Sequence, residues 1–218
     1  MPLYTHCIFE DGGIAIWHIE ESTEVLYALL GTTRYDDALA TISHEARRAE
    51  WLAVRVLIAQ LLGADKEVLY QTSGRPYLAD GSYYISISHT KGYVAIAYHR
   101  SSPIGVDVEQ IASRVERIAF RFTHPDEAAY IDGCDTKRRL MYWLINWSAK
   151  ETLYKVSNNS AAAEFREAFR IAPYELSQLG TLDVQCFAYT DDALPMCVHY
   201  RVFPDIVCTW VVVSDEVN

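Results

Sequence analysis

The chain has 218 residues, half of them hydrophobic and 22% charged, with a formal net charge of -10. That balance points to a globular rather than a disordered chain, and the length suits one long domain or two lobes of about 100 residues each. The negative charge argues against non-specific nucleic-acid binding, and no apolar run approaches the roughly 18 residues that a membrane span needs.

In chain order, residues 3–9 and 14–19 read as a hairpin around Asp11-Gly12-Gly13. Residues 42–62 form a long helix with Ser43 as its cap and Gly63 as its stop; Ala46, Ala49, Trp51, Ala53, Val56 and Leu57 supply its apolar positions. Short strands follow at 68–71, 83–88 and 93–99, separated by Gly74-Arg75-Pro76, Asp80-Gly81 and Lys91-Gly92 turns. Ser101-Ser102-Pro103 is the candidate junction between lobes. The second half opens on a strand at 104–110. Helices follow at 115–122, 125–131 and 136–156, with Pro125 in a first turn. Beyond Asn158-Asn159-Ser160 the pattern returns to strands at 165–171, 182–189, 197–203 and 207–213. The aromatic residues Phe187, Tyr189, Tyr200, Phe203 and Trp210 suit their core. Each half combines a long helix with antiparallel strands, so the economical reading is a two-lobed α+β protein.

Five cysteines, at 7, 134, 186, 197 and 208, are odd in number and lack C-x-x-C spacing. Reduced thiols in a cytoplasmic protein are the expectation. Met1-Pro2-Leu3-Tyr4-Thr5-His6 lacks the basic flank and apolar core of a secretory signal. Histidines 6, 18, 44, 99, 124 and 199 show no H-x-x-x-H spacing and receive no role, and neither a P-loop nor a G-x-G-x-x-G segment is present.

The chemistry concentrates in Ile104-Gly105-Val106-Asp107-Val108-Glu109 and Trp147-Ser148-Ala149-Lys150-Glu151-Thr152-Leu153-Tyr154-Lys155. Residues two apart on a strand face the same way, so Asp107 and Glu109 project from one face while Val106 and Val108 pack into the core. Residues four apart on a helix are neighbours, so Glu151 and Lys155 share a face; Lys150, about 100° away, reaches a ligand from the side. Three carboxylates that leave room for water and phosphate oxygens suit Mg²⁺ better than zinc. Each piece alone has an ordinary explanation. An Asp-x-Glu is usually a solvated sheet face, and a helical Glu–Lys pair is usually worth a few tenths of a kcal/mol at the surface. His89 reads equally as structural, Arg55 as a snorkelling side chain and Arg75 as part of a turn.

Jointly, these segments resemble the signature of the 4′-phosphopantetheinyl transferase superfamily, specifically the surfactin-type (Sfp-type) monomers. In that signature a Gly-x-Asp segment is followed after about 40–45 residues by Trp/Phe-Ser-x-Lys-Glu-x-x-x-Lys. Here 44 residues separate Asp107 from Glu151. The basic helix Arg47-Arg48-Ala49-Glu50-Trp51-Leu52-Ala53-Val54-Arg55, the turn Gly74-Arg75-Pro76-Tyr77-Leu78, Ile87-Ser88-His89-Thr90 and Phe122-Thr123-His124-Pro125-Asp126-Glu127 resemble further family segments, in family order.

The resemblance implies two similar lobes related by a pseudo-twofold, each a small, mostly antiparallel sheet on a long helix. Residues 1–102 would grip the coenzyme A 3′-phosphate; residues 103–218 would carry the metal site and dock the carrier protein. It implies Mg²⁺, or Mn²⁺, on Asp107, Glu109 and Glu151, with Glu151 as general base. Lys155 and Lys150 would neutralise the coenzyme A phosphates. Ser88 and His89 would bind a phosphate, and Arg55 and Arg75 the 3′-phosphate. The implied partner is an apo acyl or peptidyl carrier protein, with no nucleic acid or membrane involved, and the implied state is a monomer. Arg114, Arg117, Arg121, Lys137, Arg138 and Arg139 form the local basic patch that an acidic carrier would need on so acidic a chain. There are departures. Ser86 stands where the family often has Asn, Arg75 replaces a common lysine, and residues 20–37 offer only Arg34 to a 3′-phosphate. Two other functions compete: a catalytically silent coenzyme A or carrier-protein binding module, and a metal-dependent phosphohydrolase.

Overall fold

The computed structural model describes residues 3–157, 165–188 and 192–213. The break expected at Asn158-Asn159-Ser160, and Tyr189, lie outside them. The chain divides into two compact units, Met1–Ser101 and Ser102–Asn218. Both are α+β.

In the first unit β1 (Leu3–Phe9), β2 (Gly12–His18), β5 (Tyr84–Thr90) and β6 (Tyr93–His99) form an antiparallel sheet in the order β1-β2-β6-β5. The first hairpin turns on Glu10-Asp11, because Phe9 already pairs with Gly12. Gly12 and Gly13 therefore belong to β2 rather than to the expected turn. They are there for space: a Cβ at Gly12 would meet the Tyr98 carbonyl oxygen at 2.4 Å, and one at Gly13 the Tyr98 hydroxyl at 2.6 Å. The long helix α3 (Glu45–Leu62) starts after His44 instead of Ser43 and ends at Gly63. Its Leu52, Val56 and Leu57 share a core with Trp17, Val94 and Ile96 of the sheet. Two helices that the sequence reading left unassigned, α1 (Thr23–Leu30) and α2 (Asp36–Ala40), add Leu26 and Leu39 to that core. A small hairpin, β3 (Val68–Tyr70) with β4 (Pro76–Leu78), pairs Tyr70 with Pro76 and carries Arg75 in its loop.

The second unit is built on β7 (Ile104–Gln110), β8 (Phe169–Ile171), β9 (Leu179–Cys186), β10 (Leu194–Val202) and β11 (Ile206–Val212). All are antiparallel, in the order β7-β11-β10-β9-β8. The 21-residue α6 (Thr136–Val156) starts at Asp135, whose carboxylate accepts from the Lys137 and Arg138 amides. Leu144, Ile145, Ala149 and Leu153 pack on Leu182, Val198, Val207 and Val211 of the sheet. Each such fully buried side chain contributes about 1.5–3 kcal/mol. The helix expected at 115–122 is split into a 3-10 turn, Ser113–Arg117, and the short α4 (Ala119–Phe122). The strand expected at 165–171 begins as α7 (Phe165–Ala168) before becoming β8. Between them, α5 (Pro125–Ile131) opens on His124, one of the histidines assigned no role. Its ring accepts from the Asp126 amide, while Glu127 accepts from the His124 amide. All five cysteines are free, and among the described residues no helix is long and apolar enough to cross a membrane.

Candidate active site

The site grows from the contact of β7 with α6. A Cβ at Gly105 would sit 2.5 Å from the Thr152 carbonyl oxygen and 3.0 Å from Val156 Cγ1. Only glycine lets the helix approach the strand this closely. Asp107 and Glu109 share the Gly105 face of β7, and so lie under the helix. As expected, Asp107 and Glu109 share one face and Val106 and Val108 are buried on the other. The carboxylate face is the one that the helix covers, and Val106 and Val108 lie outside the cluster that α6 completes. Gly105→Ala is expected to push α6 off β7, at a cost of about 1–3 kcal/mol. Urea unfolding would measure it, and a wild-type midpoint would refute the packing account.

Trp147, Ser148, Glu151 and Lys155 follow one another along α6 at helical spacing. Lys155 Nζ donates to Asp107 Oδ1 and to the Val106 carbonyl, both at 2.9 Å, while Ser148 Oγ donates to Asp107 Oδ2 at 2.8 Å. Trp147 Nε1 donates to Glu109 Oε1 at 2.8 Å, and Arg114 Nη2 donates to Glu109 Oε2 at 2.6 Å. Glu151 is half-buried. Burial first, and then the charges of Asp107 and Glu109, push its carboxyl up to about 7 against the opposing pull of Lys155. With the Asp107 and Glu109 oxygens so engaged, no three His, Cys, Asp or Glu side chains among the described residues are arranged to hold a metal ion. The donor chemistry nonetheless fits a hard divalent cation: three carboxylates within electrostatic reach, one of them destabilised as an anion by burial first and then by the other two.

The family described as the 4′-phosphopantetheinyl transferase superfamily matches residues 103–209, which contain all of these groups. The chain is 29% identical to the 4′-phosphopantetheinyl transferase AcpT of Salmonella typhi over 130 residues, 58% of this chain and 67% of that protein. It is also 29% identical to a 4′-phosphopantetheinyl transferase of Bacillus subtilis over 170 residues, 71% of this chain and 74% of the relative. Over residues 103–209 the chain is a member of the 4′-phosphopantetheinyl transferase superfamily. It is accordingly an enzyme of phosphopantetheine transfer to carrier proteins.

Some residues that the family resemblance nominated are placed differently. Lys150 is 0% exposed. Its ammonium lies 2.8 Å from Glu127 Oε1 and donates to Glu127 Oε2 at 2.9 Å and to the Phe122 carbonyl at 2.6 Å. Lys150 is therefore corrected from a phosphate ligand to an internal ion pair; the 100° that separates it from Glu151 turns it inward. Arg55 is likewise 4% exposed, with its guanidinium 3.1 Å from the centre of the Trp51 ring and donating to the Trp51 carbonyl. Burial pulls its pKa down. It does not present the open fork that a 3′-phosphate needs. Ser86 and Ser88 are buried on one face of β5; His89 is exposed and lies on the other face with Ile85 and Ile87, which join the core shared with α3. His89 Nδ1 is 3.3 Å from Glu50 Oε2, and its Nε2 is the partner of Arg47 Nη1. Arg75 is half-buried beside Gly74, whose φ of +85° the β3–β4 loop requires.

Sequence reasoning gave no role to Trp147, Ser148, Thr152, Thr209 or Glu50. Trp147 and Ser148 lie in the quoted signature and Glu50 in the quoted basic helix, so their positions were flagged although their partners were not. Nothing in the sequence singles out Thr209.

Proposed function

We propose that the chain is a surfactin-type enzyme that moves 4′-phosphopantetheine from coenzyme A to a serine hydroxyl of an apo acyl or peptidyl carrier, with Mg²⁺ and release of 3′,5′-ADP. The observation that carries this reading is Glu151. Burial and the charges of Asp107 and Glu109 lift its carboxyl to about 7 in the metal-free protein, and it stands on one helix face with Lys155, itself paired with Asp107. Glu151 is the candidate base for the serine proton, directly or through a water. The serine oxygen forms a bond to the β-phosphorus, the pyrophosphate bridge breaks, and Lys155 offsets the charge that develops on the departing phosphate. Asp107, Glu109 and Glu151 would hold the cation, which polarises the pyrophosphate when bound. Trp147 and Arg114 orient Glu109, as Lys155 and Ser148 orient Asp107.

On the first unit, Arg75 and His89 are the residues that we assign to coenzyme A phosphates, with Arg47 and Glu50 holding the imidazole in place. The carrier would dock on the 3-10 turn and α4, where exposed Arg117 and Arg121 flank Phe120, itself 69% exposed. That patch pairs an apolar anchor with cations suited to an acidic partner. We take the active form to be a monomer acting in the cytoplasm, since every protein group assigned to the reaction comes from one chain and its five cysteines are free thiols.

The test is to incubate the protein with coenzyme A, Mg²⁺ and a panel of apo carriers, and to weigh the carriers by intact mass spectrometry. One added phosphopantetheine, lost in Asp107→Ala and on removing Mg²⁺, is the expected result. Release of 3′,5′-ADP without any carrier would replace transfer with hydrolysis. Coenzyme A binding with no gain on any carrier would leave a silent binding module.

A further inference from the structure

Thr209 of β11 is the register partner of Asp107 across the β7–β11 ladder. Its hydroxyl is 2.9 Å from Ser148 Oγ and 2.6 Å from Thr152 Oγ1, and Ser148 Oγ is 2.8 Å from Asp107 Oδ2. Ser148, Thr152 and Thr209 are all 0% exposed, so bulk water does not compete for these groups.

With Thr152 giving its one proton to the Thr209 hydroxyl at 2.6 Å rather than to the more distant Thr209 carbonyl at 3.3 Å, proton counting sets the direction of each bond. Each hydroxyl has one proton to give. A carboxylate only accepts, so Ser148 donates to Asp107. Ser148 then accepts from Thr209. Thr209, its own proton committed, accepts from Thr152. The donors run one way, from Thr152 through Thr209 and Ser148 to Asp107, and end in a charge-assisted bond, where a chain of this kind is strongest. The other Asp107 oxygen is left to Lys155.

We propose that Thr209, backed by Thr152, is a positioning residue for the reaction: acting through Ser148, it sets the orientation in which Asp107 meets the divalent cation. This rests on the cation reading above. Removing the Thr209 hydroxyl leaves Ser148 without its donor and loosens the Ser148 bond that holds one Asp107 oxygen, while the packing of β11 against α6 is kept by an isosteric valine.

The experiment is a Mn²⁺ titration of the full chain at pH 8 with saturating coenzyme A, following free Mn²⁺ by electron paramagnetic resonance against a blank of coenzyme A alone. Thr209→Val is expected to weaken Mn²⁺ binding roughly tenfold to a hundredfold, the usual effect of losing a group that orients a ligand. Thr209→Ser, which keeps the hydroxyl, should bind within about threefold of wild type on the same scale. Should Thr209→Val not fold, Thr152→Val at the far end of the chain replaces it and is judged the same way. Equal binding by the valine variant and wild type, with binding lost in Asp107→Asn, would overturn the inference alone. Equal weakening in the serine and valine variants would assign Thr209 to packing, and also overturn it. No Mn²⁺ binding by wild type would overturn the cation reading and this inference with it.

Discussion

Glu151→Gln is expected to lower the rate of carrier modification by about 10²–10⁴-fold, the usual contribution of a positioned base. At the same time it should make the metal-free protein more stable at pH 8. Both effects have one cause. Burial, with Asp107 and Glu109 nearby, lifts the Glu151 carboxyl from 4.5 to about 7, so between those values the folded state holds a proton that the unfolded chain has given up. A native state that binds more protons loses stability as pH rises. The penalty is absent below about 4.5, grows across the interval and is complete above about 7. It amounts to something on the order of 3 kcal/mol, and a neutral glutamine does not carry it. Urea unfolding of both proteins at pH 5 and pH 8, without metal, would measure it. The two should differ at pH 8 and converge toward pH 5, and adding Mg²⁺ should stabilise wild type far more than the variant. Transfer by wild type should rise with pH through the region near 7, with that limb moving lower as Mg²⁺ is raised, because the cation favours the ionised carboxylate. A Glu151→Gln enzyme that loads carriers at the wild-type rate would remove Glu151 from the chemistry.

The parts of the fold that were legible in the sequence are those specified locally. α6 begins and ends where the spacing places it, because Asp135 supplies a cap and the apolar pattern persists to Val156. β7 occupies 104–110 as its alternation requires. Errors arose where one signal has two causes. Gly12 and Gly13 look like a turn because glycine punctuates turns, yet they serve close approach to Tyr98. Alternation on β7 was read correctly, since Asp107 and Glu109 share a face and Val106 and Val108 are buried, but which face the helix covers is settled only in the fold, and it is the carboxylate face. The unassigned α1 is a single short helix whose cap, Ser22, was in plain view, but eight residues give little periodicity to read. Of the site, the charged residues were legible and the neutral hydroxyls were not. A threonine in a strand announces only β-propensity, and the register that sets Thr209 against Asp107 exists only in the folded sheet.

The strongest effect on folding is expected from Lys150→Met. The substitution keeps the length and apolar stem of the side chain but removes the ammonium that faces Glu127, a carboxylate 1% exposed. Glu127 would keep the Ile171 amide at 2.9 Å and the His124 amide at 3.2 Å, two neutral donors in place of a cation. Stranding a buried charge in this way costs about 3–5 kcal/mol. Glu127→Gln should cost less. Burial already holds the Lys150 pKa below its ordinary value, so the lysine can shed its proton once the carboxylate that opposes the shift is gone. In the double variant Glu127→Gln/Lys150→Met, the amide oxygen can accept from Ile171 and the amide nitrogen can donate to the Phe122 carbonyl, at the loss of the bond from the His124 amide. The double variant should therefore be more stable than Lys150→Met alone, and a double-mutant cycle in urea would give the coupling. The same variants decide what Lys150 is for. An internal ion pair predicts a loss of stability with coenzyme A affinity kept in the double variant, because neither residue touches substrate. A phosphate ligand predicts the reverse. Unchanged unfolding of Lys150→Met with weakened coenzyme A binding would return Lys150 to the substrate and show that the helix turns during binding.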